Sequence, residues 1–118
     1  MLLALALLSS TVLVANAPEG DDWLGPDKAL HFSVSAGISV AAYGGAMLIT
    51  DDVRLRVALS SGISLLAGTA KELADLAGLG TPSWKDFAWD VIGTFTGVVT
   101  ALLLDQLLIS PLARLPFW

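Results

Sequence analysis

The residues able to do chemistry in this chain fall into three short groups. Asp27, Lys28 and His31 form the first, Lys71, Glu72 and Asp75 the second, and Lys85, Asp86 and Asp90 the third. Stepping three to four residues at a time along the chain, each group heads a stripe of small side chains. The first stripe reads His31, Ser35, Ser39, Ala42, Ala46. The second reads Ser61, Ser64, Gly68, Glu72, Asp75, and the third Asp86, Asp90, Gly93, Gly97, Thr100. Small residues let helices approach closely, as in Gly93-x-x-x-Gly97, and close packing would bring the three charged ends together. His31, Glu72, Asp75, Asp86 and Asp90 are therefore expected to share one pocket.

Three kinds of chemistry suit such a pocket. The charges can form a buried ion-pair and hydrogen-bond network that registers the helices, with Lys71 and Asp75 at i, i+4 as its internal pair. They can bind a polar headgroup or a peptide. One histidine with several carboxylates can also hold a divalent cation, His31, Asp75 and Asp90 being the candidate ligands, or pair a base with an acid for hydrolysis. A single histidine on an apolar helix is more often a hydrogen-bonded packing residue than a ligand. Asp86 suits a helix N-terminus, where the macrodipole favours an acid, whereas Asp90 lies one turn deeper. Ser83 has no base beside it in sequence, which argues against a serine nucleophile. Asp105 and Gln106 are expected to be solvated. No cofactor is specified, and the absence of cysteine removes thiolate metal sites and disulfides.

The elements that must position these groups read as helices. Of the 118 residues, 55% are hydrophobic and 14% charged, against about 45 to 50% and about 25% in soluble domains. Mean hydropathy is +0.76, more apolar surface than a domain this small can hide. Lipid would accommodate it. The net charge of −5 and the lack of a basic cluster argue against nucleic acid as a partner. Membrane lipid and other membrane protein subunits are the expected partners. Leu30 to Thr50 is a run of 21 residues without Asp, Glu, Lys or Arg, long enough to span. A charged turn through Arg54 and Arg56 follows, then a helix running to Gly78-Leu79-Gly80-Thr81-Pro82. Ser83 is a suitable N-cap with Asp86 in the capping-box position, and the next helix runs to Ile109 before Pro111.

The predicted fold class is all-α, a small bundle of four transmembrane helices, the first being a signal anchor or a cleaved signal peptide. Residues 1–17 are that segment: they end in Ala15-Asn16-Ala17, an A-x-A pattern, but carry no Lys or Arg ahead of the apolar run. Residues 18–26 form an external linker, 27–110 a three-helix membrane core and 111–118 a cytoplasmic tail. Arg54, Arg56 and Arg114 then lie on the cytoplasmic side, as the positive-inside rule prefers. Trp23, Trp84, Phe87 and Trp89 form an outer aromatic belt.

Taken in order, Asp27-Lys28-x-x-His31-Phe32, Lys71-Glu72-x-x-Asp75 and Ser83-x-Lys85-Asp86-x-x-x-Asp90-x-x-Gly93-x-x-x-Gly97 resemble the signature of the YfiM-like periplasmic lipoproteins. More distantly they resemble the VanZ-like membrane proteins. In the VanZ-like pattern, Asp75 stands in the place of a Gln and Asp90 in the place of an Asn, so this chain is more acidic. The resemblance covers Asp27 to Leu108 and implies a bacterial envelope protein of the inner membrane, its polar site facing outward, related to a family linked with glycopeptide resistance. The functional expectation is a non-catalytic membrane protein that binds an envelope ligand or serves as an accessory subunit. The alternative is a membrane enzyme acting on a lipid-linked or cell-wall precursor, with or without a metal.

Overall fold

The computed structural model describes residues 21–116, and over them the chain is all-helical. Helix α1 spans Pro26–Met47 and α2 spans Val53–Ala74. The end of α2 widens into a π-helical turn, Asp75–Leu79, closed by Gly78 at φ 97°, a backbone conformation that glycine alone adopts without cost. Helix α3 spans Trp84–Leu104. It runs through a second π turn, Asp105–Ile109, into the short α4, Ser110–Ala113.

Local chemistry sets these limits. Pro26 opens α1, where its missing N–H costs nothing. Asp52 caps α2 by accepting from the Arg54 amide at 2.9 Å, and Ser83 caps α3 by accepting from the Asp86 amide at 3.3 Å. Pro111 does not end the last helix as expected. The π turn just before it shifts the hydrogen-bond ladder that an interior proline would otherwise break, and the helix continues to Ala113.

The four-membrane-helix bundle is corrected by the structure. Among the described residues there are three long helices, and one stretch, the 30 residues Trp84–Ala113, is long and apolar enough to cross a membrane. The segment assigned to a first helix, residues 1–17, lies outside the described residues, as do residues 18–20 of the linker. Helices α1 and α2 fall short because the same residues that let them pack closely, their serines and glycines, lower their hydropathy, and charges sit at both ends of α2.

Packing inverts the usual distribution of polarity. The buried apolar residues are Tyr43, Ala46, Val98 and Ala101, whereas Lys28, Ser35, Ser39, Arg56, Ser60, Ser64, Asp86, Asp90, Thr94 and Asp105 are all buried. Large apolar side chains face outward, Leu66 and Phe95 each 70% exposed and Leu107 68%. Helices α1 and α3 make the most extensive contact, with α2 packed more on α1 than on α3. Their closeness depends on two glycines. A side chain at Gly93 would strike the Phe32 carbonyl, and one at Gly97 would strike the Ala36 carbonyl and Ser39. Between the helix ends, the Ser64 hydroxyl donates to the Ser35 carbonyl at 3.0 Å and meets the Thr94 hydroxyl at 2.6 Å.

Because backbone cannot yield as a flexible side chain can, Gly97→Val should force α1 and α3 apart and destabilise the protein by about 1 to 3 kcal/mol. Gly37→Ala, where nothing lies within 4 Å, should be neutral or slightly stabilising. Thermal unfolding of the detergent-solubilised variants measures both.

Candidate functional site

At the end of the bundle where α1 and α3 begin and α2 finishes, the three sequence groups meet. His31 stands between two carboxylates of α3: Nδ1 lies 2.9 Å from Asp90 Oδ1 and Nε2 lies 3.2 Å from Asp86 Oδ2. Residues 86 and 90 are one helical turn apart, so a single imidazole fits between them. Ser35, one turn below His31 on α1, donates to the same Asp90 Oδ1 at 2.8 Å. Lys28, 1% exposed, places its ammonium 2.5 Å from each of Asp21 Oδ1, Asp27 Oδ2 and Asp86 Oδ1. Lys71 reaches Asp75 at 2.5 Å, Asp86 at 3.1 Å and Glu72 at 3.3 Å.

The cap of α3 joins this network. In a capping box the acid three residues after the cap returns to the cap's own amide. Here Asp86 is committed to Lys28, His31 and Lys71, and Glu72 from α2 supplies the missing half, accepting from the Ser83 amide at 2.8 Å. The Ser83 hydroxyl donates in turn to Asp21 at 2.9 Å. The neighbouring Lys28 ammonium, and after it the Ser83 hydroxyl, hold the Asp21 carboxyl below its ordinary value. That contribution is complete above pH about 4, the ordinary carboxylate range, and is lost as acid protonates Asp21.

Asp27, Lys28, His31, Lys71, Glu72, Asp75, Asp86 and Asp90 thus gather at one end. Lys85 does not join them: its ammonium donates to the Asp21 carbonyl at 2.6 Å and lies 5.5 Å from the centre of the Trp23 ring. Trp23 packs edge-on against Trp84 at 4.8 Å, and its carbonyl accepts from Trp89 Nε1 at 2.8 Å, which ties the 21–25 segment down over the cluster.

The arrangement does not assemble the candidate metal set His31, Asp75 and Asp90. Both nitrogens of His31 are turned to aspartates, and Asp75 faces Lys71. Among the described residues the carboxylates within ligand reach of one another are those of Asp21, Asp27 and Asp86, and the Lys28 ammonium already sits among them. Nor, among the described residues, is there a nucleophile poised on the imidazole, since the Ser35 hydroxyl is directed to Asp90. Asp75 Oδ2 and Asp90 Oδ2 are buried without a hydrogen bond. The former is held by the Lys71 charge, but the latter has no polar partner among the described residues. Its space is left by Gly68, where a side chain would come within 2.6 Å of Asp90 Oδ2.

A second polar cluster at the opposite end was not expected from the sequence. Asp105 is not solvated but 0% exposed. It accepts from Tyr43 Oη at 2.7 Å, Arg56 Nη1 at 2.8 Å, Ser110 Oγ at 2.8 Å and Gln106 Nε2 at 3.3 Å. Its position inside the run Ala101-Leu102-Leu103-Leu104-Asp105-Gln106-Leu107-Leu108 was the available signal, because a charge so placed turns to the bundle interior. The buried stripes also differ by a register step. Tyr43 and Ser60 are buried in place of Ala42 and Ser61, and Thr94 and Ala101 in place of Thr100, which is exposed.

No protein-family model matches the chain, and comparison with curated proteins and with solved structures found no match to either.

Removing one member of the His31 cluster strands the rest. Asp90→Ala takes the acceptor from both His31 and Ser35 and should cost about 3 to 5 kcal/mol, as for a broken buried ion pair. His31→Ala combined with it should cost clearly less than the sum, because the two contribute to one interaction. Denaturation of the two single variants and the double variant in detergent measures the coupling. Strict additivity would contradict the pairing.

Proposed function

We propose that this chain is a non-catalytic membrane protein of the bacterial envelope, an accessory subunit or ligand-binding partner within a larger membrane assembly. The observation that carries this reading is an inverted polarity around a charged cluster in which Lys28, His31 and Lys71 are each paired with carboxylates of the same chain. Buried serines, glycines and charges with exposed leucines, isoleucines and Phe95 suit lipid on the outside. With α3 long and apolar enough to cross, α1 and α2 would accompany it, each turning its polar face inward. The resemblance of the three motifs to YfiM-like and VanZ-like proteins supports the envelope assignment, with the His31 cluster toward the outer leaflet and Arg54, Arg56 and Arg114 inside.

The pairing of every buried cation with carboxylates of the same chain favours a registering role over catalysis. A catalytic cluster needs a group held ready for substrate, and here the candidates are spent on each other. A second reading, an enzyme acting on a lipid-linked or cell-wall precursor, draws on Asp90 Oδ2, a buried carboxylate oxygen without a polar partner.

Two measurements test these readings. The full chain should remain in the membrane pellet after alkaline carbonate extraction, and a reporter fused after Gly80 should signal an external location. Extraction into the supernatant overturns the membrane assignment, and a cytoplasmic signal overturns the outward orientation of the His31 cluster. Native mass spectrometry of the gently solubilised protein should show a co-purifying protein subunit or envelope ligand and only traces of metal. Stoichiometric metal that disappears in Asp90→Asn would overturn the non-catalytic reading in favour of the enzyme.

A further inference from the structure

We propose that the end of the bundle opposite His31 carries a binding site for one phosphate-bearing anion, in a membrane the headgroup of an anionic phospholipid, with Arg56 and Arg114 as its recognising cations. A cavity of about 310 Å³ opens there, lined among others by Asp51, Arg56, Asp105, Gln106, Ser110 and Arg114. The guanidinium of Arg56 is fixed on two sides. Nε donates to the Thr50 carbonyl at 2.8 Å and Nη1 to Asp105 at 2.8 Å.

That leaves Nη2 as the donor available to a ligand. Its present partner is Asp51 Oδ1 at 3.4 Å, a long contact to a fully exposed side chain, which an anion with better geometry would displace. Asp105 does not oppose such an anion strongly. Its oxygens accept from Tyr43, Arg56, Ser110 and Gln106, and its charge offsets that of Arg56, so Arg56 contributes directed donors and Arg114 the positive charge left for the anion. Arg114 lines the same cavity, and among the described residues no ion pair engages it. A fork-shaped donor held rigid beside a second arginine is the arrangement that recognises phosphate oxygens. Met47, Val53 and the exposed Ile109, which also line the cavity, suit the acyl chains of a lipid. The anion site stands on this geometry alone, and only the identification of the anion as a lipid rests on the membrane reading above.

The full-length protein in a zwitterionic detergent, titrated with phosphatidylglycerol and followed by native mass spectrometry, tests the proposal. One phosphatidylglycerol should be retained in preference to phosphatidylcholine. Arg114→Gln should weaken it about fivefold, the usual contribution of one basic residue at an anionic membrane surface. Asp51→Asn, which removes the competing carboxylate, should strengthen it. Arg54→Gln removes a charge from the same turn, outside the cavity lining, and should change nothing. Equal loss in Arg54→Gln and Arg114→Gln would show general surface attraction and overturn the site, as would no preference for phosphatidylglycerol combined with no binding of inorganic phosphate. If inorganic phosphate binds with the same order of variants and displaces the lipid, the phosphate group alone is the ligand. Failure of phosphate to compete against a lipid that shows this order assigns the whole phospholipid.

Discussion

The structure depends on the burial of a single ammonium. Lys28 is almost wholly enclosed, a placement that costs several kcal/mol unless the charge is matched. Three carboxylates match it, and they come from three places: Asp27 beside it on α1, Asp86 from α3, and Asp21 from the segment that precedes α1. Because Asp86 lies on another helix and Asp21 ahead of the first, satisfying Lys28 fixes how α1 and α3 start and folds the 21–25 segment over them. Asp86 then carries the constraint onward to His31 and Lys71, and Lys71 brings in the end of α2. Capping follows the same logic. With Asp86 occupied, the amide of Ser83 is satisfied by Glu72 from a neighbouring helix, so that even a local feature of α3 requires the assembled bundle.

Charge at one end alone would leave the helices free to splay at the other. The Arg56, Asp105 and Tyr43 cluster closes that end, with Asp105 15 residues beyond Asp90 on the same continuous helix. At 1.5 Å per residue this is about 22 Å. Both clusters therefore fall within reach of the two faces of a hydrocarbon layer roughly 30 Å thick. Between them the contacts are of a different kind: Gly93 and Gly97 against the α1 backbone, and serine and threonine hydroxyls bonded across the helices. Close backbone approach and interior hydrogen bonds, rather than large buried apolar side chains, hold the helices together over this stretch.

The same saturation limits the chemistry. An imidazole with a carboxylate at each nitrogen resembles an activated histidine, but activation requires one nitrogen to face a substrate or nucleophile. Here both are turned inward to the helix they secure. The exception is Asp90 Oδ2, lodged in the space that Gly68 provides, an oxygen without a hydrogen-bond partner among the described residues.

The one-dimensional pattern was enough for the helical class, for the Ser83 cap and for the convergence of the three charged groups, whereas the helix starts at Pro26 and after Asp52 were read as linker and turn. Those depend on spacing along a helix and on small residues at contacts, both local properties. The number of membrane helices was overestimated, because length without charge was read as a span although the serines and glycines that build the contacts also lower hydropathy. Asp105 was assigned to solvent and Arg56 to a cytoplasmic turn, since each, taken alone, looks like an interfacial charge. Their burial exists only because Tyr43, Ser110 and Arg56 arrive from different parts of the chain to bond the same carboxylate. Lys28 and His31 illustrate the same division. Residue types and spacing determined that they would stand near acids, whereas tertiary packing alone decided that Lys28 would occupy the carboxylate site a cation could have used and that His31 would be closed on both sides. Which partners saturate a buried charge is a property of three helices meeting, and no single stretch of sequence contains it.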